Sequence, residues 1–189
     1  MKRKVIALTG KIGSGKSAVA RILAEMGFKT VDCDDLAKQV ADKPEVVMQV
    51  EHLLGRKCVS KGKLNRAAIR EIVFKDLNLL EKYQQLFFDG VKTLLTETLA
   101  TLREEKAVFV EIPILDAFDF SWDEIWRVES DEETCVRRVA VRDNVSDDSV
   151  FATLNSQKTY DCDCVIVNKG DLVQLKQSVK LALVNGQLT

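Results

Sequence analysis

The chain has 189 residues and carries 28 Lys and Arg against 29 Asp and Glu, a formal net charge of −1. Its length lies in the ordinary range for one domain, and a hydrophobic fraction of 46% describes a folded chain with a full core, not a disordered one. The near-neutral balance excludes a globally basic surface, so neither nucleic acid nor an anionic membrane is an expected partner.

Short apolar runs alternate with helical patterns from end to end. At the amino terminus, Met1-Lys2-Arg3-Lys4 leads into an apolar run from Val5 to Thr9 that is too short for a signal peptide or a membrane span. Val5 to Leu8 reads as a buried strand, Gly10 to Gly15 as a glycine-rich turn, and Ser17 to Ala24 as a helix closed by Gly27. Thr30 to Cys33, Ala107 to Ile112, Ile125 to Glu129 and Cys164 to Val167 read as four further strands, continuous enough in apolar character for a parallel sheet covered on both faces. Between the second and third strands lie about 70 residues of mainly helical pattern, far more than a simple crossover needs. The longest helix there is expected from about Leu77 to Arg103, with Leu80, Phe87, Val91, Leu94, Leu95, Thr98 and Leu102 along one stripe. Five cysteines, Cys33, Cys58, Cys135, Cys162 and Cys164, are odd in number and form no C-x-x-C pair, which fits a reduced, cytoplasmic setting better than a disulfide or zinc framework. With no repeat or long linker, residues 1–189 read as a single domain.

Gly10-Lys11-Ile12-Gly13-Ser14-Gly15-Lys16-Ser17 fits the G-x-x-x-x-G-K-[ST] pattern in full, with a strand before it and a helix after it. Glycines let the backbone wrap closely around a phosphate, and the amide hydrogens then converge at the positive end of a helix dipole. Thr9, the loop residues Gly10, Gly13, Ser14 and Gly15, and Ala18 behind them would form the nucleotide cradle. Lys16 would neutralise the β- and γ-phosphates of a bound nucleotide and the Ser17 hydroxyl would ligate Mg2+. The bland alternative, an ordinary glycine-rich turn, does not account for the strand-to-helix context.

A nucleotide alone leaves the reaction open. Asp32 and Asp34, two apart at the end of the second strand, would project to the same side if the segment is extended. A carboxylate there can accept a proton from an attacking hydroxyl or hold magnesium. Alternatively, Asp34 or Asp35 caps the helix that follows.

With these motifs in place the chain resembles the dephospho-CoA kinase family, nearly end to end. Ala7 to Ser17 is similar to the family's opening and Val31-Asp32-Cys33-Asp34 to its D-x-D. Gly62-Lys63-Leu64-Asn65-Arg66 resembles G-x-L-x-R, and Ile69-Arg70-Glu71-Ile72-Val73-Phe74 resembles L-R-x-x-V-F. Glu111-Ile112-Pro113-Ile114-Leu115 is similar to the P-L-L strand end, Arg138 with Arg142 to the R-x-x-x-R of the lid helix, and Val165 to Gly170 to the closing V-I-x-N-x-G.

The resemblance implies an α/β P-loop kinase fold: a five-stranded parallel sheet with helices on both faces, a helical substrate insertion at about 35–105 and a short lid at about 135–162. It implies transfer of the ATP γ-phosphate to the 3′-hydroxyl of dephospho-CoA, with Mg2+. Carried over by position, Asp34 is the base or orienting group and a metal contact, Asp32 is its partner, and Lys16, Arg138 and Arg142 offset developing charge. Arg66 and Arg70 would meet substrate phosphates, or brace the inserted helices. Arg138 and Arg142 also fit a solvated helix face, and Asn168 with Lys169 fits either an adenine-binding loop or a plain turn. Glu111 would sit near the metal, while Pro113 would contact substrate or shape the chain after its strand.

Two departures stand out. Where many members carry His-Pro in the inserted helix, this chain has Phe88-Asp89, and its sole histidine, His52, lies elsewhere. The lid is shorter by roughly five residues after Gln157, a change that loops tolerate, and Thr153 stands where an arginine often precedes that glutamine. They keep two other readings open: a kinase for another small alcohol or nucleotide, and a nucleotide-binding module without catalysis. The oligomeric state is not written in the sequence.

Overall fold

The computed structural model describes residues 3–73, 75–117 and 119–188. Phe74, the last residue of the L-R-x-x-V-F likeness, lies outside the described residues, as do Met1 and Lys2. The contacts divide the chain into two compact units: Met1–Asp32 with Leu102–Leu115 and Ser121–Thr189, and Cys33–Thr101 with Asp116–Phe120.

The first unit is built on a parallel sheet of five strands: β1 (Lys4–Thr9), β2 (Lys29–Asp32), β5 (Ala107–Glu111), β6 (Glu124–Glu129) and β7 (Cys164–Val167). They lie side by side in the order β2-β5-β1-β6-β7. β1 pairs with β5 on one side and with β6 on the other, so the chain passes over β1 between those two strands. That crossing is a topological switch point, where open parallel sheets leave a crevice beyond their carboxyl ends.

Alternation along the strands explains the core. Ile6, Leu8, Phe109, Trp126, Val128 and Ile166 all project to one face, where they meet Val19, Ile22 and Leu23 of helix α1 (Lys16–Glu25) and Leu175, Val179 and Leu183 of α8 (Leu172–Asn185). Val5, Ala7, Val108 and Val110 are buried on the opposite face, so the central strands are covered on both sides, as their continuous apolar runs require. The edges differ. Val165 and Val167 of β7 are exposed, because an edge strand need bury only one row of side chains, and Lys29 and Thr30 are exposed at the start of β2.

Phe109 is fully buried between Phe28 and Trp126, with ring centroids 5.4 and 5.0 Å away in edge-on contact. Phe109→Ala is expected to cost about 3–5 kcal/mol of unfolding free energy in a urea titration, since the β-sheet around it cannot collapse into the cavity. A loss under about 1 kcal/mol would contradict this packing.

Helices α6 (Glu132–Asp143) and α7 (Asp147–Ser156) form a small core of their own from Cys135, Val136, Val139, Val150 and Leu154, and Ile12 of the glycine-rich loop packs into it. Side chains cap these elements at their starts: Asp131 accepts from the Thr134 amide, Ser146 from Ser149, and Asp171 of α8 from Gln174. Gly27, at φ +92°, follows α1 in the left-handed conformation that ends helices.

The second unit holds α2 (Cys33–Ala41), α3 (Pro44–Leu54), a 3₁₀ turn at Arg56–Cys58, a hairpin of β3 (Val59–Ser60) and β4 (Lys63–Leu64), α4 (Arg66–Val73) and α5 (Leu77–Thr101). Helical periodicity predicts most of it, but not the hairpin. Lys61 and Gly62, both at positive φ, supply the primed turn that a two-residue loop demands. The long helix stops at Thr101, two residues before the expected Arg103. Phe87, Val91, Leu95 and Leu99 are its buried stripe, with Leu99 in the place the sequence reading gave to Thr98.

One expectation is corrected. β2 ends at Asp32, and Cys33 opens α2 instead of finishing the strand, so Asp32 and Asp34 do not alternate along one extended segment. Cys33 is apolar and buried, which made it look like strand. Asp34 and Asp35 occupy the first helical turn, where carboxylates complement the dipole, and Asp35 accepts from Lys38.

Candidate active site

The loop after β1 is a cradle that admits no side chain at its glycines. Gly10, Gly13 and Gly15 stand at φ +145°, +78° and +98°. A Cβ on Gly10 would lie 2.4 Å from the Val128 carbonyl oxygen, one on Gly13 2.6 Å from the Cys135 carbonyl oxygen, and one on Gly15 2.1 Å from Asn168 Nδ2. Conformation therefore requires glycine at all three, and backbone atoms also bar a Cβ at Gly10 and Gly13. Thr9, 1% exposed, ends the strand at the loop's entrance. The Ala18 amide closes the first turn of α1 on the Gly15 carbonyl. Unlike α6, α7 and α8, α1 has no side-chain cap at its start, the end of a helix whose dipole favours an anion.

Two side chains flank this cradle. Lys16 Nζ folds back to donate to the Gly10 carbonyl at 2.8 Å and, more distantly, to that of Lys11 at 3.4 Å. The Ser17 hydroxyl donates to Glu111 Oε1 at 2.8 Å. Asp32 is the register partner of Glu111 across β2 and β5, so two acids end adjacent strands at the carboxyl edge of the sheet.

Three further side chains hold three consecutive residues of the loop. Gln157, which follows α7, accepts from the Ile12 amide at 2.8 Å. Arg138 of α6 donates to the Gly13 carbonyl at 3.2 Å and lies 3.5 Å from Ser130 Oγ. Asn168, beyond β7 and 4% exposed, donates through Nδ2 to the Ser14 carbonyl at 2.7 Å. The sequence reading singled out Arg138 and Asn168, used Gln157 only as a landmark of the lid, and missed Ser130, which no motif marks.

The remaining candidates sit as follows. Arg142, exposed one turn beyond Arg138, donates twice to Asp143, at 2.8 and 2.7 Å. Pro113 is half-buried just after β5. In the second unit Arg66 and Arg70 are exposed on α4, one turn apart. Burial pushes the Tyr83 phenol up, and the Arg66 charge opposes that rise. Burial likewise holds the Cys135 thiol above its usual range against the pull of Arg138, which suits packing and not nucleophilic chemistry. Hydrogen bonds from Thr134 hold the Asp131 carboxyl below its usual range. No helix among the described residues is long and apolar enough to cross a membrane.

A phosphate cradle with its lysine at the start of a helix, set at the switch point of a sheet in this strand order, places the chain among the P-loop kinases. Likeness of fold agrees: dephospho-CoA kinase from Campylobacter jejuni superposes with a TM-score of 0.64 at 23% identity, over 97% of each chain. The chain belongs to the dephospho-CoA kinase family, whose model (CoaE: Dephospho-CoA kinase) matches residues 4–174. Dephospho-CoA kinase of Fusobacterium nucleatum is 32% identical over 188 residues, 95% of this chain and 97% of the relative. The crystal structure of TT1252 from Thermus thermophilus reaches a TM-score of 0.82 at 31% identity and covers 98% of both chains.

Proposed function

We propose that the protein is an ATP-dependent kinase that converts dephospho-CoA and ATP into CoA and ADP, the activity its family membership names. The observation that carries this is the joint fit of the cradle around Lys16, Ser17 and Glu111 with a family match from residue 4 to residue 174. In the transfer, the 3′-hydroxyl oxygen of the substrate ribose bonds to the γ-phosphorus, the bond from that phosphorus to the β,γ-bridging oxygen breaks, and the hydroxyl proton passes to a carboxylate. The enzyme's part is placement and charge cancellation, not covalent chemistry.

Asp34 is the carboxylate proposed to take or orient that proton. The loop amides hold the phosphates of ATP, Lys16 balances the terminal ones, and Arg138 stands at the loop for the charge that develops on the moving group. Arg142 is proposed as a further nucleotide contact, Arg66 and Arg70 as contacts for substrate phosphates, and Pro113 as a substrate contact. Residues 35–105 would act as the substrate-binding insertion and 135–162 as a short lid of one kinase domain working in the cytoplasm.

The donors beside the loop fit a magnesium ion. A hydroxyl and a carboxylate 2.8 Å apart, with Asp32 as register neighbour, supply a few hard oxygens, and Mg2+ takes few protein ligands because it keeps waters and substrate phosphates. Ser17, Asp32, Glu111 and, by position, Asp34 would hold it. Bound there it would neutralise phosphate charge.

Incubated with ATP, Mg2+ and dephospho-CoA, the protein is expected to yield CoA and ADP, and chelation by EDTA to stop the reaction. Folded, ATP-binding protein that forms no CoA would refute the assignment. Phe88-Asp89 in place of His-Pro favours a second reading with another small alcohol or nucleotide as acceptor. ADP release across an acceptor panel separates the two.

A further inference from the structure

Asn168 closes a loop of contacts that returns to the phosphate cradle. Its side-chain amide donates to the Ser14 carbonyl at 2.7 Å, its backbone amide donates to the Glu129 carbonyl at 2.7 Å, and its own carbonyl accepts from Ser130 Oγ at 2.8 Å. Ser130 Oγ in turn lies 3.5 Å from Arg138 Nη1, which donates to the Gly13 carbonyl at 3.2 Å. The ring therefore runs from Ser14 through Asn168, Ser130 and Arg138 to Gly13. It is almost closed to water at Asn168, which is 4% exposed.

We propose that Asn168 is a positioning residue that sets the peptide planes of the phosphate loop, and not a reader of the adenine base. Holding the Ser14 carbonyl outward turns the amide of the same peptide plane, that of Gly15, toward the cradle. Asn168 also walls the loop at Gly15, where a Cβ would lie 2.1 Å from its Nδ2. The hydrogen bond to the Ser14 carbonyl commits one hydrogen of the amide nitrogen to the backbone of the loop. Ser130 supports the arrangement by fixing the Asn168 carbonyl and steadying Arg138.

The proposal rests on the reading that this loop binds nucleotide phosphates, and its test needs no acceptor. Binding of ATP, GTP and inorganic tripolyphosphate in the presence of Mg2+ is measured by calorimetry for the wild type, Asn168→Ala and Ser130→Ala. Loss of one preorganised amide contact is expected to weaken all three ligands about tenfold in Asn168→Ala, with the ATP-to-GTP preference unchanged. Ser130→Ala should shift them in the same direction by a smaller factor.

A base reader would give the opposite pattern: tripolyphosphate unaffected and the ATP-to-GTP preference lost. That result, or unchanged affinity for all three, overturns the proposal. If Asn168→Ala does not fold, Ser130→Ala carries the test by the same criterion: a parallel loss supports it and unchanged tripolyphosphate affinity overturns it. Wild-type protein that binds tripolyphosphate but forms no CoA would count against the proposed activity while leaving this inference standing.

Discussion

Replacing Asp34 with alanine is expected to lower kcat about 10²- to 10⁴-fold, the range typical of a positioned general base, while the Kd for ATP changes less than about threefold. The two readouts separate because the contacts assigned to the nucleotide lie in the loop at Gly10 to Ser17 and on α6, whereas Asp34 lies in the first turn of α2. A group that acts on the acceptor hydroxyl is required only once the acceptor is present. Asp34→Asn, which keeps the shape and removes the basicity, should fall with the alanine variant. Loss of ATP affinity as large as the loss of turnover would leave Asp34 its metal contact and remove the proton-transfer role. Normal turnover in Asp34→Asn would remove it from the chemistry.

Lys16→Ala should be damaging in both parameters. The ammonium group is held by carbonyls of the loop it serves, at 2.8 Å from Gly10. It therefore needs little reorganisation to meet a phosphate. Its charge counts for more beside the half-buried loop than it would in bulk solvent. Removing one such preorganised donor costs about 10²- to 10³-fold in kcat, and the lost ground-state contact adds a rise in the KM for ATP. Steady-state kinetics with ATP varied against saturating acceptor would show both. A variant with kcat within about threefold of wild type would show that transfer does not depend on this lysine.

What could be read from the sequence tracks how local its physical cause is. The cradle was legible because glycine conformations, the lysine and the helix start all act within eight residues, from Gly10 to Ser17. The central strands were legible because burial on both faces leaves unbroken apolar runs, and the four-residue edge strand β7, apolar although Val165 and Val167 are exposed, was read to its last residue. The β2–α2 boundary was not, since a buried cysteine satisfies a strand and a helix equally well and the decision lies in the first-turn acids Asp34 and Asp35. The hairpin of β3 and β4 was missed because two residues per strand give no period to detect. Asn168 was found by its motif, but its partner Ser14 is 154 positions away, so nothing in the neighbouring residues could state what it binds. Ser130 and Gln157 escaped a role for the same reason.

Ile12 belongs to two structures at once. Its amide is held by Gln157 at the end of α7, and its side chain packs into the small core shared by α6 and α7. That core stands apart from the larger one under the sheet, so the helix pair is expected to open as its own cooperative unit with a smaller free energy than the whole molecule. Opening it strips both the packing and the tether from the loop's tip. By thermodynamic reciprocity, any ligand that prefers the ordered loop must also raise the free energy needed to open α6 and α7, by the same amount that their closure improves its binding. A helix pair packed this way would require no separate latch: occupancy of the cradle and order of α6 and α7 would be two readings of one equilibrium.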